Sequence, residues 1–181
     1  MRENRTRLIV EAGMAVALSA VFNLIPLWRM PQGGSISLEM LPVLIIAFRW
    51  GGTPGLITGF VYGLVQLAID PHIYYPLQVI LDYPLAYMLV GIAGYIPVKN
   101  TGSKIPFIRI IGASLLGGLL RLFCHVLSGV LFFSQYAPEG QNVWVYSTVY
   151  NGTYLIPALL LSMVLIIPLY RKLILYNNEN I

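Results

Sequence analysis

Residues 121–136 read RLFCHVLSGVLFFSQY. The run is apolar enough to lie in a bilayer, yet it holds an arginine and a histidine. On an α-helix, positions four apart stand above one another. Arg121, His125, Gly129 and Phe133 therefore form one stripe of cation, imidazole, gap and aromatic ring. Such a stripe suits a flat polar molecule: the two rings stack on it and the glycine leaves room for it. The plainer alternative is that a single arginine or histidine in an apolar helix snorkels or is satisfied locally. The stripe points to a site only if other segments send polar groups to the same depth.

Composition places that helix in a membrane protein. The chain has 181 residues, 57% of them hydrophobic and 10% charged, where a soluble domain carries about 25% charged residues. Mean hydropathy is +0.76. The net charge of +4 comes mostly from basic residues at the ends of apolar runs, so it reports membrane orientation rather than nucleic-acid binding. The single cysteine, Cys124, permits no internal disulfide and reads as small apolar filler. No metal-ligand cluster stands beside it, and no cofactor is implied.

Working outward, the pattern predicts an all-α bundle of six transmembrane helices in one domain, 1–181. The spans are expected at 8–28, 36–50, 55–69, 77–98, 110–133 and 147–170. The basic start, Met1 to Arg7, imitates a secretory signal, but Glu11 interrupts its apolar region and more spans follow, so it reads as a retained first helix. Span two, with Glu39 and Pro42, is marginal against the roughly 20 residues a crossing needs. Gly13 and Ala17 form a small-x-x-x-small pair on span one, suited to packing inside the protein or to docking a partner's helix. Thr101-Gly102-Ser103-Lys104 lacks the phosphate-loop spacing and follows no strand. Asn151-Gly152-Thr153 fits a glycosylation pattern but sits at a helix entrance. Arg2, Arg5, Arg7, Arg49, Lys99, Lys104, Arg109, Arg171 and Lys172 fall on one side and only Arg29 on the other, which predicts cytoplasmic termini.

With that orientation the intramembrane polar groups share the outer half. Glu39 opens span two, Asp82 lies one to two turns into span four, Arg121 and His125 rise along span five, and Tyr146 and Asn151 stand at the mouth of span six. Most tyrosines share this half, about half of them accountable as an interface belt. The inner half is apolar by comparison, which argues for a cavity open on one side rather than a channel polar along its length. Two carboxylates, Glu39 and Asp82, can meet amino or ring nitrogens. Asn151 can both donate and accept, and Arg121 can meet a hydroxyl, carboxylate or phosphate end. The expected guest is a small, flat, polar heterocycle, neutral or cationic. An intramembrane hydrolase using Ser128 and His125 is the weaker alternative, because no nucleophile elbow is present.

Leu81-Asp82-Tyr83, His125 with Gly129, Phe132-Phe133-Ser134-Gln135-Tyr136-Ala137, and Tyr146 with Asn151 together resemble the thiamine-specific substrate-binding subunit, or S-component, of bacterial energy-coupling-factor transporters. The resemblance covers nearly the whole chain. It implies a bacterial plasma-membrane subunit, not itself an enzyme, that binds thiamine at the outer face. It also implies docking by span one onto a transmembrane coupling protein driven by two ABC-type ATPases, with Gly13 and Ala17 matching the family's small-residue motif. Residue by residue, Asp82 resembles the acidic ligand to the vitamin and Tyr83 the neighbouring tyrosine. His125 and Phe133 resemble the rings enclosing the thiazolium, and Tyr146 and Asn151 the contacts to the aminopyrimidine. Arg121 resembles a basic residue near the hydroxyl or phosphate end, and Gly129 lines the pocket. The chain departs in having Asp where the family has Glu, and Phe where it has Trp. Another vitamin, a thiamine precursor, or a membrane enzyme or stabilising subunit without ligand are the alternatives.

Overall fold

Six helical segments and one short β-hairpin make up the described part of the computed structural model, residues 2–98, 106–170 and 172. They are α1 (Arg2–Leu24), β1 (Trp28–Arg29), β2 (Ser35–Ile36), α2 (Met40–Trp50), α3 (Gly52–Ile69), α4 (Pro76–Tyr95), α5 (Phe107–Phe132) and α6 (Val143–Leu169). All but α2 are long and apolar enough to cross a membrane. The outward surface carries large apolar side chains along these segments, Met14, Ile57, Leu119, Phe123 and Val164 among them. The chain is a multi-pass helical membrane protein, and the six-helix expectation holds. Lys99, Lys104 and Arg171, used in the charge count, lie outside the described residues, as does the turn at 101–104.

The boundaries of span two differ from expectation. Its first residues join the hairpin, where Trp28 pairs with Ile36 and Arg29 with Ser35. Gly33 and Gly34 turn the chain at φ of 90° and 91°, a region that favours glycine. The helix begins only at Met40 and runs 11 residues, about 16 Å at 1.5 Å per residue, which is half a bilayer core. Pro42 costs nothing there, because the first-turn N–H groups have no intrahelical acceptor. A short helix with Glu39 at its start thereby places a carboxylate inside the bundle.

Glycines on α3 account for its close packing against α4. Gly55, Gly59 and Gly63 recur every four residues on α3. A Cβ on each would lie 2.9 Å from Gly91 O, 2.1 Å from Tyr87 O and 2.5 Å from Tyr83 O. The bare stripe lets the α4 backbone lie directly on α3, as small residues do between membrane helices. Helix α4 is irregular: residues Leu81–Leu85 form a π-turn around Pro84, and Gly91–Tyr95 tighten into a 3-10 turn. Pro84 has no N–H to give the α-helical ladder, and π-turns gather at functional sites. Asp82 and Tyr83 lie on this turn.

Helix α6 starts at an Asn142 cap whose side chain accepts from the N–H groups of Trp144 and Val145. The helix therefore begins four residues earlier than expected, and Tyr146 sits in its first turn rather than in a loop. At the end of the bundle away from the hairpin, Glu11 binds Arg49 at 2.6 Å, Arg7 at 2.9 Å and the Trp50 indole at 2.7 Å. It ties α1 to the end of α2, more than the reach to the interface expected of it.

Candidate functional site

At the hairpin end the helices splay around a cavity of about 310 Å3, within the size range of small-molecule sites. All nine predicted ligand residues line it: Glu39, Asp82, Tyr83, Arg121, His125, Gly129, Phe133, Tyr146 and Asn151. They come from four stretches of the chain, which the glycine stripe, the short α2 and the α5–α6 packing bring together.

The two carboxylates meet different partners. Glu39 is buried and accepts from Arg121 at 2.9 Å, Tyr62 at 2.8 Å, Asn23 at 3.0 Å and Gln66 at 3.4 Å. Arg121 is buried as deeply, donates to the Tyr87 hydroxyl, and lies 4.0 Å over the Tyr87 ring. The pair cancels its own charge and joins α1, α2, α3, α4 and α5. Where the sequence suggested a carboxylate and a cation each offered to a guest, Glu39 and Arg121 face each other; Arg121 uses its Nη2 on Glu39 and Tyr87, while its Nε and Nη1 have no hydrogen-bond partner. Sequence separation of 82 residues hid the pairing.

Asp82 is held by an amide and a hydroxyl and faces an imidazole. Its Oδ2 accepts from Gln78 at 2.7 Å and Ser128 at 2.9 Å, and its Oδ1 lies 3.3 Å from His125 Nδ1. At the rim, Asp70 pairs with Arg29 at 3.3 Å. Among the described lining residues, Asp82 is thus the carboxylate with no guanidinium or ammonium partner. Ser128, weighed above only as a hydrolase nucleophile, donates its hydroxyl to that acid. No group of three metal ligands occurs among the described residues.

The remaining predicted residues frame the space. Tyr83 donates to Asp70 O and accepts from His72 N, which pins the 70–72 segment. Tyr146 stacks on Tyr150 and donates to Gln32 at 2.7 Å, while Tyr150 accepts from Gln32 N and donates to Gly33 O. The hairpin tip is fastened to α6 by these two tyrosines. Asn151 is buried; its amide donates to Ser147 O at 2.9 Å and its oxygen accepts from Tyr154 at 2.7 Å. Gly129 makes room, but for α6: a Cβ there would lie 2.2 Å from Ser147 Oγ. Phe133 follows the end of α5 and meets Tyr74 edge-on at 5.4 Å. Trp28 and Trp144 are exposed and do not line the cavity. Gly13 and Ala17 stand exposed on the outer face of α1, with open space beyond Gly13.

Known proteins match this chain along its length. The profile of the thiamine transporter protein family (Thia_YuaJ) matches residues 9–177. The chain is 36% identical over 172 residues to the thiamine transporter ThiT of Bacillus subtilis, covering 90% of this chain and 89% of that protein. It is 32% identical over 158 residues to ThiT of Lacticaseibacillus paracasei, covering 80% and 77% respectively. The solved structure of ThiT from Listeria monocytogenes superposes with a TM-score of 0.83 at 29% identity, over 93% of this chain and 96% of that one. These relatives are named as transporters, not enzymes. With a family profile spanning most of its length and close relatives covered nearly end to end, the chain belongs to the thiamine transporter protein family.

Proposed function

We propose that the protein is a thiamine-binding transport subunit of the bacterial plasma membrane, an S-component of an energy-coupling-factor importer. The observation that carries the proposal is Asp82: a carboxylate at the wall of a 310 Å3 cavity, solvated by neutral donors and so left with its charge for a guest. A cationic heterocycle supplies the matching charge. His125, Phe133 and Tyr74 offer ring faces, and attraction between a cation and an aromatic face adds about 0.5–2 kcal/mol. Tyr83, Tyr146, Gly129 and Asn151 shape the walls, and the Glu39–Arg121 pair holds the floor together. The hairpin end faces outward and both termini are cytoplasmic. Gly13 and Ala17 on the exposed face of α1 dock the transmembrane coupling protein, whose two ABC-type ATPases supply the energy.

Calorimetric titration of the purified protein tests the guest. Thiamine is expected to saturate one site at sub-micromolar concentration, with the separate pyrimidine and thiazole halves binding far more weakly. No saturable heat with thiamine at micromolar levels would sink the proposal, and tighter binding of one half would move it to a precursor. Gly13→Leu tests the docking face: thiamine binding is expected to persist within about twofold, since exposed substitutions usually stay within ±0.5 kcal/mol, while vitamin uptake by cells falls. Uptake that proceeds without an ATPase partner would contradict the energy-coupling assignment.

A further inference from the structure

Gln78 is fully buried one turn before Asp82, and its side chain is used at both ends. Its Nε2 donates to Asp82 Oδ2 at 2.7 Å and to His72 O at 3.1 Å. Its Oε1 accepts from Tyr74 N at 3.1 Å and Tyr75 N at 3.5 Å. Gln78 is the third residue of α4, so the contact with Tyr75 N is also half of a capping box. One amide thus closes the start of the helix, fixes the 72–75 segment with the Tyr74 ring that lines the cavity, and grips the acid of the site. Ser128 reaches the same oxygen from α5. With two neutral donors on Oδ2, the carboxylate is oriented and its Oδ1 is left toward His125.

We propose that Gln78 is a positioning residue for cation recognition, acting through Asp82 with Ser128 as its second support. This rests on the proposed thiamine site. A neutral donor orients a carboxylate without cancelling its charge, which an arginine in the same place would do. Removing the donor leaves the charge free to turn or to recruit water, and the guest's cation loses a fixed counter-charge. A guest without positive charge loses little.

The test is a binding cycle on the full chain in detergent. Two probes are used: thiamine, and its uncharged analogue with a thiophene ring in place of the thiazolium. Gln78→Met keeps length and apolar volume. It is expected to weaken thiamine about tenfold and the analogue by no more than about twofold, since a hydrogen bond to a charged group is worth at least a factor of about ten. In an Asp82→Asn background the same change is expected to cost thiamine no more than about twofold, the non-additivity that marks a shared interaction. Ser128→Ala, small and helix-compatible, repeats the measurement should Gln78→Met fail to fold, with an expected loss of about tenfold confined to thiamine. Equal losses for both probes, or the same loss of thiamine affinity with and without the Asp82 carboxylate, would show that Gln78 only caps the helix and would overturn the inference. A wild-type protein that binds thiamine but does not prefer it to the analogue overturns the role given to Asp82 and takes this inference with it. A wild-type protein that binds neither defeats the proposed function itself.

Discussion

Glu39 and Asp82 line one cavity, yet they live in opposite surroundings. Glu39 has a guanidinium at 2.9 Å and three neutral donors, and is buried in the floor. Asp82 has an amide, a hydroxyl and an imidazole, and is partly open to the space. In a poorly polarisable bundle a carboxylate beside a guanidinium contributes to architecture, because its field ends on its partner. One solvated by neutral dipoles keeps a field that a ligand can answer. The difference teaches that counting acids in a membrane site says little until each acid's counter-charge is found.

Breaking the floor is expected to have the largest effect. Glu39→Gln leaves Arg121 buried without its counter-ion, and losing one partner of a buried pair costs about 3–5 kcal/mol. The measurement is thermal unfolding in detergent, where the variant should melt far earlier with or without thiamine. If it retains wild-type stability and loses only binding, the two carboxylates are alike and the comparison fails. Asp82→Asn is expected to do the reverse: affinity for thiamine falls by about 1.5–3 kcal/mol, the worth of a charge-assisted hydrogen bond, while the melting temperature without ligand barely moves. Calorimetry alongside a melting curve separates these outcomes. Tyr146→Phe sharpens the contrast at the rim. It removes the hydroxyl that holds Gln32 and should weaken binding by about 0.5–1.5 kcal/mol, read as a faster dissociation rate as the hairpin tip loosens. An unchanged off-rate would separate the hairpin fastening from retention of the guest.

Much of this arrangement is legible in the chain. Hydropathy and charge asymmetry mark the spans, and the four-residue spacing of Arg121, His125, Gly129 and Phe133 selects the helix face that reaches the cavity. Gln78 and Asp82 already stand one turn apart on α4. The partners are what linear order conceals. The ion pair of Glu39 with Arg121 and the Ser128–Asp82 bond cross 82 and 46 residues, and nothing local distinguishes a paired acid from an unpaired one. Gly129 illustrates the same limit: its spacing announces a gap, but only the packing of α5 on α6 shows that Ser147 fills it. The hairpin escapes a hydropathy reading because two-residue strands carry no periodic signal. The glycines at 55, 59 and 63 are a visible signal for the α3–α4 contact, and their four-residue spacing lets the π-turn bearing Asp82 be backed so closely.

A structure of the protein crystallised with thiamine tests the central claim most directly. The account predicts density for the vitamin in the hairpin-end cavity, its positive ring against the Asp82 carboxylate and Glu39 still on Arg121. Thiamine seated on Glu39 or Arg121 with that pair broken, or bound away from Asp82, would contradict it.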